Sequence, residues 1–68
     1  MEDGLRGLTY RDAKEEVLTR FHEGYIGQVL TQTHGNVSQA ARICGLERQA
    51  LQQIMRRYSI RSELFRSE

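Results

Sequence analysis

The run from Gly35 to Tyr58 constrains this chain more than anything else in it. It carries the punctuation of two short helices with a tight turn between them. Asn36 is a strong N-cap residue, because its side-chain oxygen accepts from a backbone amide two or three residues on. Gln39 stands where its side chain can reach back to the Asn36 amide and complete a capping box. Gly35 supplies a turn before the cap, so the spacing predicts a helix from about Val37. Ala40 and Ala41 let a second helix cross closely, and Ile43 and Cys44 add apolar bulk. Gly45 then ends the helix, since a left-handed residue costs glycine least. Leu46 is expected to fold back into the core. A second helix is predicted from about Arg48 to Tyr58, and the whole is a helix-turn-helix layout.

The sides of that second helix differ in chemistry. At 100° per residue, Leu51, Met55 and Tyr58 share one face, with Ile54 on its flank. Gln49, Gln52, Gln53 and Arg56 fall opposite, and Arg48 and Arg57 sit on the borders. Glutamine pairs bidentately with adenine and arginine with guanine, so the outer face suits the base edges and phosphates of double-stranded DNA. The plainer reading is an αα-hairpin in an ordinary helical domain, its polar face simply wet. The small pair Ala40-Ala41, then Gly45 four residues on, then Leu51 six further, favours the helix-turn-helix.

A longer amphipathic helix precedes this unit. Thr9 is a plausible N-cap, with Asp12 three residues on. Apolar residues then recur at Ala13, Val17, Leu18, Phe21, Tyr25, Val29 and Leu30, mostly in steps of three and four. Glu16 and Arg20 form an i,i+4 pair. The helix is expected to end near Thr33 or His34. Gly24 and Gly27 each cost about 1 kcal/mol against alanine inside a helix. One long rod is the favoured reading, and a bend near Gly24 the other. A rod of about 25 residues is roughly 37 Å long. The two short helices can cover only its C-terminal half, near Ile26, Val29 and Leu30. The stripe of Leu8, Tyr10, Val17, Leu18, Phe21 and Tyr25 is left without a partner, and residues 1–8 are too few and too polar to cover it. Such a stripe marks an association surface, and the simplest solution is a two-fold homodimer.

Composition agrees with an all-α domain and bounds its chemistry. The chain has 68 residues, no proline and one cysteine. A domain of this size buries only about 60% of the surface its unfolded form exposes, so its stability is marginal. No disulfide is possible within one chain, and Cys44 reads as a small core hydrophobe under the turn. Nothing resembles a signal peptide or a membrane span, so a cytoplasmic, nucleoid-associated protein is expected. Net charge is +1 but unevenly placed: residues 1–35 carry four basic and six acidic groups, net −2, and residues 36–68 six basic and three acidic, net +3. His22, His34 and Cys44 show no metal-ligand spacing, and the histidines read as solvated or capping. Glu15 and Glu16 point in different directions, and no Ser/His/Asp set or phosphate loop is present. No catalytic residue, metal or cofactor is therefore expected, and an enzyme reading has no residues to stand on.

The run from Gly35 to Tyr58 resembles the Fis-type helix-turn-helix. That module closes the NtrC-like activators, which work with the sigma-54 form of RNA polymerase, and it also forms the nucleoid protein Fis. The resemblance rests on a pattern that opens H-G-G-N-x-S-x-A-A-R-x-L-G. Here His34, Gly35, Asn36, Ser38, Ala40, Ala41, Arg42, Gly45, Leu46, Arg48, Leu51, Arg56, Tyr58 and Ile60 match. His34 is followed by one glycine, not two. Tyr10 through Leu30 resembles the helix before this motif in the activators, which carries dimerisation. The chain departs from the pattern at Glu47 (usually Ser, Asn or Asp), Ala50 (Thr), Ile54 (Lys) and Ser59 (Gly).

The resemblance implies roles. Asn36, Ser38 and Gln39 lie at the DNA-backbone-contacting start of the first short helix. Arg48, Gln52 and Gln53, with Gln49 beside them, lie at groove-reading positions of the second. Arg56 and Arg57 are phosphate partners. The implied organisation is a linker or appended segment at 1–8, a dimerisation helix at 9–34, the DNA-binding unit at 35–60 and a tail at 61–68. That tail either continues as a helical turn through Leu64 and Phe65 or frays. The implied function is the DNA-binding C-terminal domain of a bacterial sigma-54-dependent activator, dimeric on an upstream palindrome. An ATPase domain and a receiver or sensor domain would lie on the same full-length chain. The alternatives are a stand-alone Fis-like protein that bends DNA and an interaction module that has lost DNA binding. Few positive charges flank the motif, which weighs against the first. Glu47, Ala50 and Ile54 give the second some weight.

Overall fold

The computed structural model describes residues 7–66. Most of the N-terminal linker, at residues 1–6, and the end of the tail, at residues 67–68, lie outside the described residues. Helix α1 spans Tyr10–Gln32, α2 spans Val37–Cys44 and α3 spans Arg48–Arg57, followed by a 3₁₀ turn at Ser62–Phe65. The described residues contain no strand.

Side-chain caps set two of the helix starts. The Thr9 hydroxyl accepts from the Asp12 amide at 3.1 Å, and the Asn36 side chain accepts from the Gln39 amide at 3.0 Å. The return half of the expected capping box does not form. The Asn36 amide instead donates to the Thr33 carbonyl at 3.1 Å, so no donor is left there for the Gln39 side chain. At α3, Glu47 makes no side-chain capping bond. Its extra methylene carries the carboxylate past the geometry that shorter caps reach.

All three helices end in the same way. A left-handed residue follows the last turn, and the amide after it donates back to a carbonyl five residues earlier, the closure of a Schellman motif. His34 (φ 55°), Gly45 (φ 74°) and Ser59 (φ 57°) are the left-handed residues. The closing bonds are Gly35 to Leu30 at 2.9 Å, Leu46 to Ala41 at 2.9 Å and Ile60 to Met55 at 2.8 Å.

α1 is one continuous helix of 23 residues, about 34 Å long, and passes through both Gly24 and Gly27. Its C-terminal half supplies Ile26, Val29 and Leu30 to the core. Ala40 and Ala41 of α2 and Leu51 and Met55 of α3 complete it. Val37, Cys44, Ile54, Ile60 and Phe65 pack around this cluster. Leu46 does not fold back as expected: it remains 39% exposed. Its backbone closes α2 at that point, and the closure turns its side chain outward. Ile43 is also exposed. Ile54, where the Fis-type pattern has lysine, is half-buried against the core.

The start of α1 projects beyond the core that its C-terminal half builds with α2 and α3, and the described body measures 41 × 24 × 17 Å. Along it Leu8, Tyr10, Val17, Phe21 and Tyr25 are all exposed, and Leu18 is half-buried. Phe21 and Tyr25 stack in parallel at 5.7 Å between ring centroids.

Candidate nucleic-acid interface

α3 presents its polar residues on two adjoining strips. Arg48, Gln52 and Arg56 follow one another at steps of four, so they line one side of the helix. Arg48 borders an open groove of about 430 Å³, shared with Asn36, Val37 and Ser38 at the start of α2. Gln52 and Arg56 border a second groove of about 240 Å³, shared with Val37, Ile60 and Arg61. Val37 lies in both, so the strip and the start of α2 form one continuous surface. Gln49 and Gln53 lie beside this strip on the outermost face, and both are exposed. Gln52 is half-buried, which narrows its side-chain freedom more than that of its neighbours.

The start of α2 adds backbone donors to that surface. The first amides of a helix have no intrahelical acceptor. Asn36 takes the amide of Gln39, which leaves those of Val37 and Ser38 at the groove. Ser38 and Gln39 themselves are exposed. Helix starts of this kind favour anions through donor geometry and dipole together.

Arg57 departs from the group. Its Nη2 lies 3.4 Å from Glu15 Oε1 on α1, and its guanidinium lies 5.6 Å from the centroid of the Tyr58 ring. Tyr58 first and Glu15 second hold its pKa above the ordinary arginine value. The structure thus brings Arg48, Gln52 and Arg56 together with Asn36 and Ser38 across the two grooves, leaves Gln39, Gln49 and Gln53 exposed on the same two helices, and turns Arg57 toward α1. Arg61 is paired with Glu63 at 3.2 Å. The Glu63 carboxyl is held below the usual carboxylate range, by its own backbone amide first and by Arg61 second.

The histidine at 22 is half-buried and caps no helix, contrary to the expectation of a solvated or capping side chain. Its Nδ1 lies 2.8 Å from the Leu18 carbonyl, and its ring stacks on Tyr58 at 4.3 Å and 20°. A cation outside the set read from the sequence also reaches the first groove: Arg66, from the tail. Its spacing from the motif carries no signal, because only the folding-back of residues 61–66 brings it there. Among the described residues no group of three His, Cys, Asp or Glu is placed to hold a metal ion. Among them also, no helix is long and apolar enough to cross a membrane.

Residues 17–58, 42 of the 68, match the family described as "Bacterial regulatory protein, Fis family". The match begins midway along α1 and runs through the whole helix-turn-helix. No curated protein and no solved structure matches the chain.

Proposed function

Because this chain belongs to the Fis family of bacterial regulatory proteins, and so is a DNA-binding helix-turn-helix domain with a regulatory role, we propose that it is the DNA-reading domain of a sigma-54-dependent activator. It binds an upstream palindrome as a homodimer in the cytoplasm. The observation that carries this reading is the continuous surface joining the start of α2 to Arg48, Gln52 and Arg56 on α3. α3 enters the major groove with Arg48, Gln49, Gln52 and Gln53 at base edges. Arg56 and the start of α2, at Asn36, Ser38 and Gln39, take phosphates. These phosphate contacts fix register, and the base contacts specify sequence.

The exposed stripe of Leu8, Tyr10, Val17, Phe21 and Tyr25, with Leu18 at its edge, supports the homodimer. Two α3 helices held across a two-fold axis reach successive major grooves, about 34–36 Å apart. An ATPase domain and a receiver or sensor domain on a longer chain would then drive the sigma-54 polymerase. Ile54 does not favour an interaction module: it replaces a lysine by a residue that the core uses.

Selection from a random duplex library tests this, followed by sedimentation of the enriched complex at two salt concentrations. The expected result is an enriched palindrome bound by two copies, with affinity falling as salt rises. Absence of enrichment by an intact helical protein would overturn the reading in favour of an interaction module.

A further inference from the structure

The contacts proposed above leave the end of the chain unused, yet its placement is specific. After α3 the chain turns back, and the 3₁₀ turn lays the Phe65 ring against α1, 3.7 Å from where a Cβ on Gly27 would stand. Phe65 packs on the edge of the core there. The next residue crosses the link between α1 and α2. A Cβ on Gly35 would stand 2.6 Å from Arg66 Cγ and 2.7 Å from the Ser62 carbonyl oxygen. Gly35 is buried at φ 82°, so both its conformation and its missing side chain make room for the tail.

This crossing brings Arg66 into the groove that Arg48, Asn36 and Ser38 line. None of the residues lining that groove is acidic. Arg48 and Arg66 are both exposed, and neither forms an ion pair with any described residue, although the Glu63 carboxylate lies near enough to feel the Arg66 charge. Two cations bordering one open groove without a carboxylate repel each other, and an anion between them removes the repulsion. Arginine presents a planar fork that matches phosphate oxygens two at a time.

We infer that the tail is part of the DNA interface, with Phe65 anchoring it on α1 and Arg66 neutralising a backbone phosphate beside Arg48. The inference rests on the DNA-binding reading and extends it beyond the helix-turn-helix. The contact adds affinity and salt dependence, and carries no base preference of its own.

The test uses the full chain on the duplex that selection enriches, with affinity followed as salt is varied. Arg66→Ala is expected to make the slope of log affinity against log salt shallower by about 0.9 per copy, or about 1.8 for a dimer. The rank order of duplexes should stay as in the parent protein. Arg20→Ala removes the same charge from α1, where Arg20 pairs with Glu16 at 3.2 Å, and should leave the slope as it was. A parent-like slope for Arg66→Ala would overturn the inference. So would an equal loss in both variants, which would reduce the effect to net charge. A parent protein that binds no duplex in a salt-dependent way would instead overturn the DNA-binding reading itself.

Discussion

At the scale of single residues, His34, Gly45 and Ser59 do the same backbone work with different side chains. Each is left-handed and each closes a helix. A non-glycine residue in that conformation costs roughly 1–2 kcal/mol. Against this, glycine loses more freedom on folding, by roughly 0.5–1 kcal/mol. Ser59 is exposed and stands where the Fis-type pattern has glycine. Ser59→Gly is therefore expected to stabilise the domain by about 0.5–1 kcal/mol in thermal or denaturant unfolding. Gly45→Val should do the reverse and by more, because a β-branched residue is a genuine outlier at φ 74°. A Cβ at Gly45 meets nothing within 4 Å, so the whole loss there is conformational. Equal stability of Gly45→Val and the parent would mean that the α2–α3 turn takes another shape in solution.

Among the helices, α3 is the least well provided for at its start. The Thr9 and Asn36 side chains bond the first turns of α1 and α2, whereas the Glu47 side chain makes no capping bond. Glu47→Asp keeps the charge and shortens the side chain to the length that caps. It should raise stability by about 0.5–1 kcal/mol, within the range seen for N-cap exchanges. Glu47→Ser removes a negative charge beside the Arg48 groove as well, and should also strengthen DNA binding at low salt. If neither variant unfolds later than the parent, the α3 start is satisfied by water and Glu47 is neutral there. The helices themselves were legible from local rules. Caps at Thr9 and Asn36, the glycine at 45 and steps of three and four along α1 all act within one turn of the chain. What local rules did not reveal depends on distant contacts. Tyr58 reaches His22 only once α3 lies across α1, and Glu15 meets Arg57 by the same crossing. Leu46 reads as a core residue from its hydrophobicity alone, yet the backbone closure at Ala41 decides its direction. Arg66 joins the Arg48 groove only because Phe65 finds α1.

For the whole molecule, the deciding fact is that α1 is longer than what packs on it. Its C-terminal half is buried by α2, α3 and the tail, while its N-terminal half carries exposed apolar and aromatic side chains. Phe21 lies at the middle of that stripe, 56% exposed and stacked on Tyr25. Burying a large side chain of this kind stabilises an interface by about 1.5–3 kcal/mol, and a two-fold axis counts it twice. Phe21→Glu removes that gain and places two carboxylates face to face. It is expected to convert the proposed dimer to monomers in sedimentation, with helix content by circular dichroism unchanged, since Phe21 contributes nothing to the monomer core. A dimer that persists would place the interface elsewhere. The same variant also distinguishes one reading head from two on DNA. A monomer covers half the phosphates, so its salt slope should be about half that of the parent. Its affinity for the palindrome should fall by roughly 10²–10⁴, because the second half-site is no longer bound as an intramolecular step. Base preference within each half-site should survive, since the proposed base contacts at Arg48, Gln52 and Gln53 lie on α3, away from the substituted position.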